Sequence, residues 1–129
     1  MGEYFIEANI DKNRLYQALK GFFNTEEIKE AADKTIEEVK KLQPGFDIIN
    51  DIREFIPGTE IVMRHIQRAQ EFNKERGVRR VVRIVKELDR GVAKVTKEQF
   101  RKSQEKVEGY QALEALSVEE AEQLLDELS

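Results

Sequence analysis

Alternation opens the chain: Tyr4, Ile6, Ala8 and Ile10 are apolar at every second position, Asp11-Lys12-Asn13-Arg14 supply turn residues, and Leu15 to Phe22 is a second extended run. A period of two over short runs is the pattern of strands, so the chain is expected to begin as a hairpin. From residue 24 the period lengthens. Asn24 and Glu27 stand in the capping-box relation, and Ile28, Ala32, Ile36 (with Thr35), Val39 and Leu42 recur every three or four residues, which is the stripe of an amphipathic helix. Gln43-Pro44-Gly45 ends it, because proline cannot continue the helix and glycine permits the turn that follows. The next run, Phe46 to Ile52, reads as a strand.

Helical spacing resumes after Thr59 in Ile61, Val62, Ile66, Ala69 and Phe72, with Asn73 completing the turn, and stops at Gly77, a residue suited to a helix C-terminus. Arg79 to Val85 contains Val81, Val82, Ile84 and Val85, a β-branched run expected of a strand covered on both faces. Thr96 and Gln99 repeat the capping box ahead of a helix running to Val107, with Val95, Phe100 and Val107 inward and Gly109 at its end. Leu88 and Val92, in the stretch before it, fit either a loop or an extra helical turn. Gln111 to Ala115 forms a last strand. Ser117 and Glu120 cap a final helix that directs Val118, Ala121, Leu124, Leu125 and Leu128 inward. The predicted order is ββαβαβαβα over a single domain, residues 1–129. Strands alternating with helices predict an α/β fold with a mixed, mainly parallel β-sheet flanked by helices.

Composition narrows the function classes. A chain of 129 residues supports one sizeable core, and 40% hydrophobic with 37% charged residues describes a heavily solvated surface. No apolar run has the length of a membrane span, and Met-Gly-Glu-Tyr-Phe-Ile at the start lacks the basic and then apolar regions of a secretory signal, so a cytoplasmic protein with no membrane insertion is expected. The absence of cysteine excludes disulfides, thiolate ligands and a cysteine nucleophile. A net charge of −4 conceals a division: residues 64–106 carry 14 Lys and Arg against 6 Asp and Glu, leaving 8 against 20 elsewhere. The basic charges are spread through predicted helices and a strand, and the nearby aromatics, Phe72 and Phe100, occupy core positions. A reader of single-stranded nucleic acid needs a basic surface with exposed aromatics, so no nucleic acid is expected as a partner.

Catalytic and cofactor chemistry find little footing. His65, the single histidine, flanks the apolar stripe of a helix with no partner in sight, a position for a structural histidine. Ser103, Ser117 and Ser129 stand within a helix, at a cap and at the terminus, and none is paired with a base. Asp47 and Asp51 share a strand face roughly two pleats apart, which gives a shared acid–base dyad only weak support. Gly58 stands alone, without the spacing of a phosphate-binding loop. We expect no enzyme, no metal and no cofactor.

The strand-to-helix junction remains. Sites in open α/β sheets collect beyond the carboxyl ends of strands, where a helix N-terminus offers free N–H groups. Thr59 lies there. Its hydroxyl has two readings: an N-cap for Ile61 or Val62, or an exposed phosphorylation candidate at a helix end that favours negative charge.

In element order and length the chain resembles a STAS domain, the module shared by anti-sigma factor antagonists and the cytoplasmic parts of sulfate transporters, and most of all the small stand-alone STAS-like proteins. The residues that carry the likeness are Phe46-Asp47-Ile48-Ile49-Asn50-Asp51-Ile52, then Phe55-Ile56-Pro57-Gly58-Thr59-Glu60-Ile61, and Gly109-Tyr110 with Ser117-Val118-Glu119-Glu120-Ala121-Glu122. In anti-sigma factor antagonists the junction reads Asp-Ser-Ser/Thr-Gly, and a partner kinase phosphorylates its second hydroxyl residue. On that pattern Pro57 falls at the aspartate, Gly58 at the first serine, Thr59 at the phosphorylated position and Glu60 at the glycine. Only the hydroxyl is kept, so the implied switch is degenerate.

The resemblance implies a non-enzymatic regulatory protein-interaction module. It would dock an anti-sigma factor or a kinase-like protein through Pro57, Gly58, Thr59, Glu60, Arg64, Gln67 and Arg68, its cationic helix face meeting an acidic surface. The alternative is binding of a small apolar ligand or lipid. STAS-like domains are similar in topology to the CRAL-TRIO lipid carriers, and Phe55, Ile56 and Met63, which fit no main stripe, would wall the crevice or simply close the core.

Overall fold

The alternating first run folds as β1 (Glu3–Asn9) and returns antiparallel as β2 (Arg14–Phe22), with Glu3 opposite Lys20 and Asn9 opposite Arg14. The computed structural model describes residues 2–56, 58–86 and 110–128. Ile10, the last position of the expected alternation, falls in the turn and is exposed. The reversal places Asn13 at φ 53°, a left-handed conformation that asparagine tolerates better than most side chains. Asn13 also ties the hairpin to the chain beyond the first helix. Its Oδ1 accepts from the Gln43 amide at 2.8 Å, and its Nδ2 donates to the Gln43 carbonyl at 3.1 Å.

Helix α1 (Thr25–Val39) begins with the expected capping box: the Glu27 amide donates to Asn24 Oδ1 at 2.8 Å, and the Asn24 amide donates to Glu27 Oε1 at 3.0 Å. Ile28, Ala31, Ala32, Thr35 and Val39 are buried, while Ile36 is only half-buried. β3 (Asp47–Ile56) runs parallel to β2 and continues four residues past Ile52, where the sequence pattern placed its end. The cause is pairing. The last residues of the long β2, Lys20, Gly21 and Phe22, take Glu54, Phe55 and Ile56 as partners after a register shift beyond Ala18. The polar Arg53-Glu54 pair interrupts the apolar pattern, and the ladder slips by one residue at Ile52 and Arg53 before it resumes at Glu54.

Helix α2 (Glu60–Arg76) buries Val62, Ile66, Ala69 and Asn73 and ends at Gly77, whose φ of 96° and amide bonds to Asn73 and Lys74 carbonyls form the C-terminal cap. A Cβ on Gly77 would approach Pro44 Cβ to 3.0 Å, so the helix end and the preceding loop are in close contact. Ile61, assigned inward by its spacing, is half-exposed, and Phe72 is half-buried. β4 (Arg80–Ile84) is buried along its whole length, as its β-branched run predicts, its two arginines included. β5 (Gln111–Ala115) and α3 (Val118–Leu128) follow, with Ala121 and Leu125 buried, Val118 and Leu124 half-buried and Leu128 exposed. The helix expected over 96–107, with Val95, Phe100, Val107 and Gly109, lies outside the described residues, as do Leu88 and Val92. The described order is therefore ββαβαββα.

The strands form one mixed sheet in the order β1-β2-β3-β4-β5, antiparallel at β1/β2 and parallel elsewhere. Strand alternation gives each face its own core. Leu15, Leu19, Ile48, Ile52, Val81 and Val85 pack with Ile28, Ala31 and Val39 of α1 and Val62 and Ile66 of α2. Ile49, Val82, Ile84 and Ala115 turn the other way and meet Ala121 and Leu125 of α3. Between the sheet and α1, Gln17 Nε2 donates to the buried Thr35 hydroxyl at 3.3 Å, and that hydroxyl donates to the Ala31 carbonyl at 3.0 Å.

Candidate functional site

β3 ends at Ile56 and α2 begins at Glu60, so the junction lies beyond the carboxyl end of a parallel strand, where ligands and partners collect in such sheets. Thr59 is extended, at φ −72° and ψ 170°, and caps the helix: its Oγ accepts from the Val62 amide at 3.4 Å. The residue itself is exposed. Gly58 lies against Val62, whose side-chain atoms would sit 3.2 Å from an added Cβ. Pro57 lies outside the described residues.

The cations assigned to this surface are engaged by carboxylates of the same chain. Arg64 Nη2 is 3.1 Å from Glu60 Oε1, both side chains largely in solvent. Arg68 Nη2 is 2.9 Å from Asp33 Oδ1 on α1 and 3.5 Å from His65 Nδ1, while Gln67 is half-buried. Apolar surface dominates instead. Ile56 is 53% exposed, Ile61 50% and Phe22 48%; Phe22 and Ile56 are register partners on β2 and β3. Phe22 carried no signal in the sequence beyond being the last residue of a strand.

Phe55, Ile56 and Met63 do not wall a common crevice. Successive strand residues point to opposite faces, so Phe55 enters the core, with its ring centroid 6.1 Å from that of Phe23, while Ile56 faces away. Met63 is half-buried and packs on the core that holds Phe55. Two of the three close the core, the plainer of the readings open to them.

Asp47 and Asp51 share a face of β3, yet each has its own arginine. Asp47 lies 3.2 Å from Arg79 Nη2 and 3.7 Å from Arg80 Nε, and Asp51 receives Arg53 Nε at 3.0 Å and Nη2 at 2.7 Å. Burial works against ionisation of Asp51, and the Arg53 hydrogen bonds outweigh it, so the carboxyl lies below its ordinary range. The arginines of β4 thus spend part of the basic segment inside the molecule, Arg83 facing Glu114 at 4.0 Å. Among the described residues, no group of three or more acidic or histidine side chains is gathered in a metal-holding arrangement.

No protein-family model and no curated protein sequence matches this chain.

A well-formed concavity among the described residues lies elsewhere, on the sheet face that bears α3. It is an open groove of about 710 Å³ over β1, β2 and β3, beside the start of α3 at Val118. At its margin the buried Arg14 donates to Glu122 at 2.7 Å and to Asp126 at 3.2 Å, Lys12 lies 3.0 Å from Glu122, and the Tyr16 hydroxyl donates to Glu122. Burial and the adjoining Glu122 carboxylate push the Tyr16 hydroxyl up to about 12, so it is a hydrogen-bond donor rather than a base at neutral pH. Arg14, Tyr16 and Glu122 were not singled out for a site by sequence reasoning; the signal for Arg14 and Tyr16 is the parity of β2 opposite to that of the buried Leu15 and Leu19, and Glu122 on α3 has no local signal. Among the described residues, no helix is long and apolar enough to cross a membrane.

Proposed function

We propose that this chain is a non-enzymatic regulatory module of the STAS kind that docks a protein partner through the β3–α2 junction. The observation that carries the reading is exposed apolar surface on the elements that meet at the junction: Phe22 and Ile56, register partners at the ends of β2 and β3, and Ile61 in the first turn of α2 are each about half-exposed, and Thr59 is exposed. Adjacent exposed large apolar side chains mark interaction surfaces more often than scattered ones do, and Phe22 and Ile56 are such neighbours. The described elements, a mixed and mainly parallel five-stranded sheet with helices on both faces, are compatible with the α/β class that the STAS resemblance implies. The partner is an anti-sigma factor or kinase-like protein. Because Arg64 and Arg68 already have carboxylate partners, apolar contact rather than cation–acid pairing supplies the affinity. Thr59 phosphorylation would place its charge beside Glu60, which repels it by about 1 kcal/mol across ~4 Å of water; the junction therefore works chiefly as a docking surface.

A pull-down from lysate of the source organism tests this with wild type, Ile61→Glu and Thr59→Glu, each confirmed folded by circular dichroism and read by mass spectrometry. Ile61→Glu leaves the core untouched and adds an acid to a helix N-terminus that accepts one. The expected result is a partner held by wild type and lost from Ile61→Glu, with Thr59→Glu weakened. Equal capture by all three would remove the junction as the docking site.

A further inference from the structure

The groove on the α3 side of the sheet is separate from the junction and has a different chemistry. Its volume, about 710 Å³, falls within the range of small-molecule sites, roughly 300–1,000 Å³. Phe5, Ala18, Ile49 and Val118 give it apolar walls, and Phe5 is 55% exposed although it occupies a strand position. The charged side chains that line it are all acidic: Glu7, Asp11 and Asp51. Asp51 is neutralised by the bidentate contact of Arg53. Glu7 and Asp11 form no ion pair with any described residue; Lys41 feels Glu7 only at longer range, and no cationic side chain lines the groove, so its β1 end keeps a negative excess. Tyr16 adds a hydroxyl already committed to Glu122. Apolar walls with carboxylates outside any ion pair at one end are complementary to a molecule that is apolar along its body and positive at one end.

We propose that this groove binds a small organic cation with an apolar body, an amphiphilic amine or quaternary ammonium compound. The apolar part lies over Phe5, Ala18 and Ile49, and the cationic head faces Glu7 and Asp11. A lipid-like anion of the same length is disfavoured by the same carboxylates. Docking of a protein partner at Phe22, Ile56 and Ile61 is an independent property, and either can fail without the other.

The test is a ¹⁵N–¹H NMR titration of the full chain with three dodecyl compounds below their micelle-forming concentrations: the trimethylammonium, the sulfate and the neutral maltoside. The trimethylammonium should saturate and shift the amides of Phe5, Ala18, Ile49 and Val118, with the sulfate bound about tenfold more weakly or worse, as two nearby carboxylates require. Glu7→Gln with Asp11→Gln, both at exposed positions, should keep the fold and abolish the preference for the cation, whereas Ala18→Trp should fill the groove and remove binding of all three. Equal affinity for the three compounds, shifts confined to Phe22 and Ile56, or no saturable shift at all would overturn the proposal. Tighter binding at the same amides by a Leu/Lys amphipathic model peptide would also overturn it, in favour of a basic peptide partner.

Discussion

Asn13 and Thr59 are both short polar residues at chain reversals, and they carry different weights. Thr59 makes one local bond, to an amide three residues on at 3.4 Å, beyond the usual N–H···O range. Thr59→Ala should therefore cost at most about 1 kcal/mol. Asn13 holds a left-handed backbone and both polar groups of Gln43. Asn13→Ala loses two side-chain bonds and strains the backbone, for about 2 kcal/mol, and Asn13→Gly, which relieves the strain alone, should fall between it and wild type. Urea unfolding of the three variants checks the order; an Asn13→Ala variant no less stable than Thr59→Ala would contradict it. The cap was legible because its partner is a near neighbour in sequence. The tie to Gln43 was not, since that residue is 30 positions away and any polar turn residue would satisfy the local pattern.

Among the elements, α1 does more than bury its apolar stripe. β1 is an edge strand, and edges with free N–H groups invite pairing with other chains. Glu38 of α1, buried although charged, accepts the Ala8 amide at 3.1 Å through Oε1 while Lys41 and Lys34 lie 2.7 and 3.5 Å from Oε2. The Lys41 ammonium, aided by the Ala8 amide and Lys34 and opposed by burial, holds the Glu38 carboxyl below its ordinary range. A depressed carboxylate stabilises the fold fully above its unfolded value, about 4.3, and that contribution is lost as pH falls through the lower folded value. Wild type should thus exceed Glu38→Gln in urea midpoint near neutral pH, and the gap should close on acidification to about pH 3. A gap that stays constant with pH would mean that the carboxylate's charge contributes nothing. Periodicity had correctly marked the apolar face of this helix, but Glu38 reads as a surface residue until β1 is placed beside it. The extension of β3 has the same origin: Arg53 and Glu54 look like a strand end until β2 supplies partners for the residues beyond them.

At the scale of the whole molecule, α3 is held to the far side of the sheet by its apolar residues and by Glu122. That carboxylate meets Lys12, Arg14 and Tyr16, residues more than 100 positions earlier in the chain. Glu122→Ala would leave the buried Arg14 with Asp126 as its carboxylate partner among the described residues, beside Tyr16, and should cost about 2–3 kcal/mol, below the 3–5 typical of a fully broken buried pair because Glu122 is partly exposed and a carboxylate remains. Thermal unfolding of Glu122→Ala beside Gln123→Ala, an exposed neighbour, checks it; equal loss in the two would dismiss the cluster as surface decoration. The sequence by itself determined the α/β class and, among the described residues, which runs are strands and which are helices, because strand alternation, helical stripes and caps follow from backbone geometry acting over a few residues. It also determined Gly77 as a helix end and β4 as a buried strand. Only the tertiary structure decided which carboxylates neutralise Arg14, Arg68, Arg79 and Arg80, that Phe55 and Ile56 part to opposite faces, and that a groove with acidic lining lies beside α3. Each of these depends on which faces of distant elements come together, and the free energy of that packing belongs to pairs of residues that no local pattern connects.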